Sequence, residues 1–282
     1  MRFVYVTDLH GDTALYEDVL AAAVKNGASL IVNGGDILPK TGDGSLVENQ
    51  RRFFGWLRAH LTEVRRRGVA YAVMFGNDDC ASLLPELDGL KNGGLLQRLD
   101  EGWITHAGWH LAGFPWVPDT PFLLKDWTRL DHAGWKVPRQ YGPPMRSTPD
   151  GFTDIGLSSE YHHSRLETIK DMLNAPPYSA PPGTAKCVFV MHAPPLFTGL
   201  DVCWEGRGIG SKAGLDYIMR WKFPLTLHGH IHEAPQEPAG AWHAKIGGTF
   251  SLNPGADGSP SHVLIDTEKR LAAHARYGEV QF

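Results

Sequence analysis

Two hydrophobic rhythms alternate along the first eighty residues. "RFVYV", "SLIVN" and "VAYAVMF" are short, almost wholly apolar runs, the pattern of strands buried on both faces. Between them lie helical periods. An amphipathic run over 13–26, with Asp12 placed to cap it and Gly27 to end it, predicts a first helix. Ser45 and Glu48 stand at capping-box spacing ahead of a longer helix whose core side carries Phe53, Leu57, Leu61 and Val64. Arg65, Arg66 and Arg67 fall in its last turn, where cations complement the helix dipole. The strand rhythm returns late, in "AKCVFVMHAPP" and "FPLTLHGHIHE", and four short strand-like runs near 242–246, 249–252, 262–265 and 272–276 would extend a sheet antiparallel. The pattern predicts an α/β fold.

Composition refines this picture in a few places. A length of 282 residues suits one domain with an excursion. The excursion is expected over about 103–178, where five of the nine tryptophans gather and "RQYGPPMRSTPDG" reads as loop, with one helix over 158–173 closing it. No apolar run approaches the roughly eighteen residues needed to span a bilayer, so no membrane partner is expected. "MRFVYVTD" enters a strand without a secretory signal pattern, and Cys80, Cys187 and Cys203 lack metal-type spacing; both features fit a cytoplasmic protein with reduced thiols. A net charge of -4 gives no electrostatic reason to expect nucleic acid. Oligomeric state is left open.

The chemistry gathers where strands end. Asp8, His10, Asp36, Asn77, His192, His230 and His232 all follow predicted strands, and in a mostly parallel sheet such loops converge on one crevice. Imidazoles, carboxylates and one neutral oxygen donor suit first-row divalent ions such as Mn, Fe, Ni or Zn better than calcium. Seven donors are too many for one tetrahedral site and suit two octahedral ions that share one carboxylate. Glycine before Asp36, Asn77 and His230 permits a sharp turn or a close approach beside each.

Taken together, D-x-H at Asp8 and His10, G-D at Gly35 and Asp36, G-N at Gly76 and Asn77, His192, and G-H-x-H from Gly229 to His232 resemble the calcineurin-like metallophosphoesterases, with five motifs in the family's order. The resemblance implies two stacked mixed β-sheets flanked by helices, a four-layer αββα sandwich with an inserted cap-like segment. It also implies that Asp8, His10, Asp36 and His232 hold one divalent ion and that Asp36, Asn77, His192 and His230 hold the other. The expected reaction is hydrolysis of a small phosphoester, foremost a phosphodiester, by a metal-bridging hydroxide. The alternatives are a phosphomonoesterase acting on nucleotides or sugar phosphates and a metal-binding scaffold without catalysis. "MHAPPLFTGLDVCWEGRGIGSKAG" followed by "GHIHEA" looks more particularly like phosphodiesterase-like members of the family.

One position departs from that pattern. Many family members carry G-N-H-D or G-N-H-E, whose histidine contacts phosphate and helps protonate the leaving oxygen; here Asp78 stands in that place, followed by Asp79, which the resemblance assigns to orienting the loop. A carboxylate at Asp78 is a poor proton donor at neutral pH, so either a bias toward phosphodiesters with better leaving groups or a modest activity is expected, unless His106, His162 or His163 from the excursion supplies the proton. Arg207, ahead of a helix start at Ser211, is read either as a phosphate contact or as a solvated arginine in a glycine turn. His228 is read as a satisfied strand residue, Cys80 as a small buried hydrophobe, and Trp116, Phe122 and Trp127 as packing aromatics or a stacking surface for a base or aryl group.

Overall fold

A computed structural model describes residues 1–282, the side chain of Glu205 excepted. Strand β1 (Arg2–Val6) leads into helix α1 (Thr13–Lys25), β2 (Leu30–Asn33), α2 (Leu46–Arg66), β3 (Ala70–Val73), α3 (Leu84–Asn92) and β4 (Gln97–Arg98). The caps work as expected: Asp12 accepts from Ala14 N and Leu15 N, and Ser45 and Glu48 close a capping box. β1 to β4 run parallel, with Phe3 opposite Leu30 and Leu30 opposite Ala70.

The segment expected as an excursion divides in two. β5 (Ile104–His106) and β6 (Trp109–Phe114) form a hairpin turned by Ala107 and Gly108 at φ 47° and 75°. β6 then lies inside a second sheet, so 104–114 belong to the core of the domain. The remainder makes only local pairs, β7 (Val117–Pro118) with β8 (Thr128–Arg129) and β9 (Met145–Thr148) with β10 (Gly151–Asp154). Instead of one helix over 158–173 there are two, α4 (Ser159–His163) and α5 (Ile169–Leu173). Thr168 interrupts them by forming a capping box of its own with Asp171.

β11 (Cys187–Met191) follows, then the short pair β12 (Val202–Cys203) and β13 (Arg207–Gly208), α6 (Lys212–Trp221), β14 (Leu225–Leu227), β15 (His243–Ile246) and β16 (Thr249–Leu252). The second sheet is ordered β15-β16-β14-β11-β6-β5. β17 (Val263–Asp266), β18 (Leu271–His274) and β19 (Gly278–Gln281) return to the first sheet, where β17 pairs antiparallel with β1. The first sheet thus reads β19-β18-β17-β1-β2-β3-β4.

Strand alternation sorts the apolar residues into three layers of core. Phe3, Tyr5, Leu30 and Val32 face Val188, Val190, Leu225 and Leu227 between the sheets. Val4, Val6 and Ile31 face α1 and α2, against Tyr16, Leu57 and Leu61. Phe189 and Met191 face the outer helices, against Leu173, Ala213 and Tyr217. Helices, sheet, sheet and helices make the four-layer αββα arrangement that the sequence implies.

Candidate metal centre

Parallel strands put their carboxyl ends on one edge, and both sheets point that edge at the same place. Asp8 follows β1, Asp36 follows β2, Asn77 follows β3, His192 follows β11, and His230 and His232 follow β14. Backbone bonds fix the loops side by side: Asp8 N donates to Gly35 O at 2.9 Å and His10 N to Asp36 O at 2.9 Å. Within the second sheet Gly229 N donates to His192 O, and across the sheets Tyr5 OH donates to His228 O and His230 N to both carboxylate oxygens of Asp8.

All seven residues expected from the sequence are joined by this network. Ligand-capable atoms of Asp8, His10, Asp36 and His232 all lie within 4.8 Å of one another. His232 Nε2 is 3.2 Å from Asp8 Oδ1 and 3.3 Å from His10 Nε2. On the other side, His192 Nε2 lies 3.1 Å from Asn77 Oδ1 and 3.4 Å from Asp36 Oδ2. The ring of His230 packs 5.4 Å from that of His192.

The donor chemistry tests whether a cation fits. His192 Nδ1 must donate to the Gly34 carbonyl at 2.9 Å, because a carbonyl only accepts. Its Nε2 therefore presents a lone pair to two oxygens, Asn77 Oδ1 and Asp36 Oδ2, and only a proton or a cation relieves that opposition. The surroundings favour positive charge there: burial alone would lower the His192 imidazole, but the adjacent Asp36 and Asp8 carboxylates raise its pKa to about 9. Burial opposes ionisation of Asp8 and Asp36 as well, yet His232 and His192 hold the two carboxyls well below the usual range. Burial lowers His10 to about 4 and His230 to about 3, whereas at His232 the Asp8 carboxylate outweighs burial and raises the imidazole. Two ionised carboxylates, an amide oxygen and neutral imidazoles are the donor set that a divalent first-row ion requires.

The two acids of "GNDD" do different things. Asp79, fully buried, accepts from Gly76 N, Ile37 N and Leu38 N at 2.8, 3.1 and 2.8 Å, so it locks the β3 loop to the β2 loop. Asp78 Oδ1 accepts from Asn77 Nδ2 at 2.7 Å, which turns the Asn77 oxygen toward His192, while its backbone N–H donates to Asp36 Oδ1 at 2.8 Å. Burial and the Asp36 charge push the Asp78 carboxyl up.

The remaining candidates are placed elsewhere. His106 bonds Ser29, at the amino end of β2 and thus the far edge of the sheet; His163 is buried against Thr128 and Asp119; His162 meets Arg146. The position of His106 at the far edge of the sheet takes it away from the cluster. His228 is fully buried with Nδ1 on the Met191 and Ala193 carbonyls, the satisfied strand residue expected. Cys80 is buried and its thiol is pushed up by that burial. Arg207 is exposed on β13 opposite Cys203. Trp127 is buried with its indole N–H on Asp79 O, whereas Phe122 is 54% exposed. Lys40, Gln50 and Asn253 also support the site, though no motif in the sequence marks them. Lys40 Nζ sits 2.8 Å from Asp78 Oδ2; Gln50 bridges Asp78 O and Cys80 N; Asn253 Nδ2 donates to Leu200 O, Gly229 O and Ile231 O. A glutamine and an asparagine buried completely were the available signal for the last two, but burial is not readable from one sequence.

The model of the calcineurin-like phosphoesterase family matches residues 1–234. This chain belongs to that family. Among solved structures, one superposes with a TM-score of 0.58 at 16% identity, covering 100% of this chain and 98% of its own. The protein TT1561 of Thermus thermophilus gives 0.53 at 17% identity, covering 97% of each chain. A dimetal phosphatase from Danio rerio gives 0.49 at 13%, covering 99% of this chain and 98% of that one. For the first two, at such identities, the likeness is one of fold. No curated protein matches the chain. Membership in a phosphoesterase family and an Asp/His cluster able to bind metal support a metal-dependent hydrolase acting on phosphoesters.

Proposed function

We propose that the chain is a two-metal phosphoesterase with a preference for phosphodiesters. The observation that carries this reading is the facing of the His192 Nε2 lone pair and the Asn77 and Asp36 oxygens, beside the Asp8–His10–Asp36–His232 cluster. Asp8, His10, Asp36 and His232 would hold one divalent ion; Asp36, Asn77, His192 and His230 would hold the other. Two such ions supply Lewis acidity, activating water and neutralising phosphoryl oxygens for in-line displacement. The chain's own task is to present the ligands in their metal-binding forms. The Gly34 carbonyl fixes the His192 tautomer, Asp78 fixes the Asn77 amide, and Thr7 Oγ1 and His230 N hold the Asp8 carboxylate.

The ester preference rests on Asp78. It is occupied as an acceptor, from Asn77 on one oxygen and Lys40 on the other, so it offers no proton to a leaving alkoxide. General-acid assistance typically contributes about 100- to 10,000-fold, and its loss weighs most on poor leaving groups. Metal-stripped protein supplied with Mn, Fe, Ni or Zn should cleave bis-p-nitrophenyl phosphate faster than p-nitrophenyl phosphate. Asp78→His should raise monoester turnover by about 10-fold or more, relative to the diester. Faster monoester cleavage by the unsubstituted protein, unaltered in Asp78→His, would sink the diester reading and favour the monoesterase.

A further inference from the structure

We propose that Lys40 forms a phosphate-gripping subsite: its ammonium, held by Asp78, contacts the non-bridging oxygens of a bound phosphodiester monoanion. Lys40 lies in the loop after β2, four residues beyond Asp36, and its Nζ is 2.8 Å from Asp78 Oδ2. Asp78 in turn accepts from Asn77 at 2.7 Å and donates its backbone N–H to Asp36 at 2.8 Å. One carboxylate therefore separates the ammonium from two of the clustered ligands. The Lys40 and Asp78 side chains are 38% and 27% exposed, against 1% for Asp36, so the pair stands on the solvent side of the cluster, where a substrate arrives.

Charge argues in the same direction. Carboxylates and imidazoles make up the cluster, and Lys40 adds a positive side chain separated from Asp36 and Asn77 by the one residue Asp78. Burial works against the charged lysine, but Asp78 outweighs it, and the ammonium holds its proton more firmly than a free lysine does. Its part is therefore that of a charge-assisted hydrogen-bond donor to a phosphoryl oxygen. In the hydrolysis a water oxygen bonds to phosphorus, the ester P–O bond breaks with its electron pair on the leaving oxygen, and the water's protons pass to the leaving oxygen and to solvent. Lys40 emerges unchanged. A lone surface ion pair is worth little to folding, so removal of this one should be read in binding and hardly in stability.

This inference rests on the phosphoesterase reading, and the experiment separates the two. Inorganic phosphate is titrated calorimetrically into metal-loaded wild type, Lys40→Met and Lys40→Arg, and kcat and KM are measured on aryl phosphodiesters whose leaving groups span several units of acidity. Lys40→Met should bind phosphate on the order of 10-fold more weakly and lose at least as much in kcat/KM, largely through KM. Its thermal midpoint and its dependence of rate on leaving-group acidity should match wild type. Lys40→Arg, which keeps the charge, should restore most of the phosphate affinity. Unchanged phosphate affinity and KM in Lys40→Met would overturn the proposal. So would a steeper leaving-group dependence with phosphate affinity intact, because that would put Lys40 on the leaving oxygen. A wild type that turns over no phosphoester counts against the phosphoesterase reading, and the phosphate titration then still decides for or against Lys40.

Discussion

Asp8, His10, Asp36 and His230 share a costly backbone: their φ angles are 55°, 46°, 52° and 65°, in the left-handed region that side chains other than glycine seldom adopt. Each such residue costs on the order of 1 kcal/mol and persists only where its surroundings over-determine it. The surroundings here are the cross-loop hydrogen bonds and the glycines that let the loops touch. A Cβ on Gly229 would lie 2.2 Å from Thr7 Oγ1 and 2.4 Å from Asp8 Oδ2. Gly229→Ala should therefore push the Asp8 carboxylate aside, reducing metal bound per chain, as measured by elemental analysis, and lowering stability by about 1–3 kcal/mol. Residues of this kind were legible in the sequence, because Asp8, Asn77 and His192 combine a chemistry-bearing type with a strand end. Lys40 was not: a lysine in a proline-bearing loop carries no signal until Asp78 is found opposite it.

Among elements, the segment after β6 controls the loop that carries Asn77. Trp127 donates its indole N–H to Asp79 O at 2.8 Å, Asp126 accepts from Ala81 N at 2.8 Å, and Ser147 Oγ accepts from Ser82 N at 3.0 Å. Its other end reaches α6, where Asp131 accepts from Ser211 Oγ and Ala213 N, and α5 packs in the outer core. Trp127→Phe keeps an aromatic beside Phe75 and Trp116 but leaves a buried carbonyl unpaired, which should cost about 1–3 kcal/mol in denaturant unfolding and weaken metal retention against a chelator. The helices of the first half were readable from Asp12, Ser45 and Glu48, since capping is local chemistry. The break at Thr168 and the place of β6 in the second sheet were harder. "WHLAGF" declares a strand only through its partners β5 and β11, which lie on either side of it in space and up to about eighty residues away in sequence.

At the scale of the molecule, the layers share an acid weakness outside the Asp/His cluster. His60 stacks on Trp56, one turn earlier on α2, and burial lowers its pKa to about 4. His274 in β18 accepts from Arg276 N and Tyr277 N on Nδ1 and donates from Nε2 to Pro254 O, so a second proton would oppose two N–H groups; burial lowers it to about 4 as well. Both folded values lie below the unfolded value of about 6.5. The unfolded chain therefore takes up these protons first, and the stability that the neutral rings contribute is complete above pH 6.5, declines as the pH falls toward 4, and declines no further below it. Urea unfolding at pH 7.5, 5.5 and 4.5 should show this decline, and His60→Phe should flatten it; an equal slope in the variant would contradict the assignment. The overall α/β layering was legible from the alternation of strands and helices, whereas the side-by-side placement of the first and last strands was not, since no local pattern encodes a partner some 260 residues away.

That placement has a consequence for the order of assembly. β1, which delivers Asp8 and His10, is flanked by β2 on one side and by β17 on the other, and Met1 N donates to Thr267 Oγ1. Asp8 and His10 follow β1, and that strand keeps an open edge until residues 263–266, far along the chain, pair with it. Such non-local pairing raises the contact order and slows folding. Asp8 and His10 are thus enclosed only when β17 pairs, and if they hold an ion, the metal supply at that step, and not only affinity, would decide which ion the finished sheet encloses.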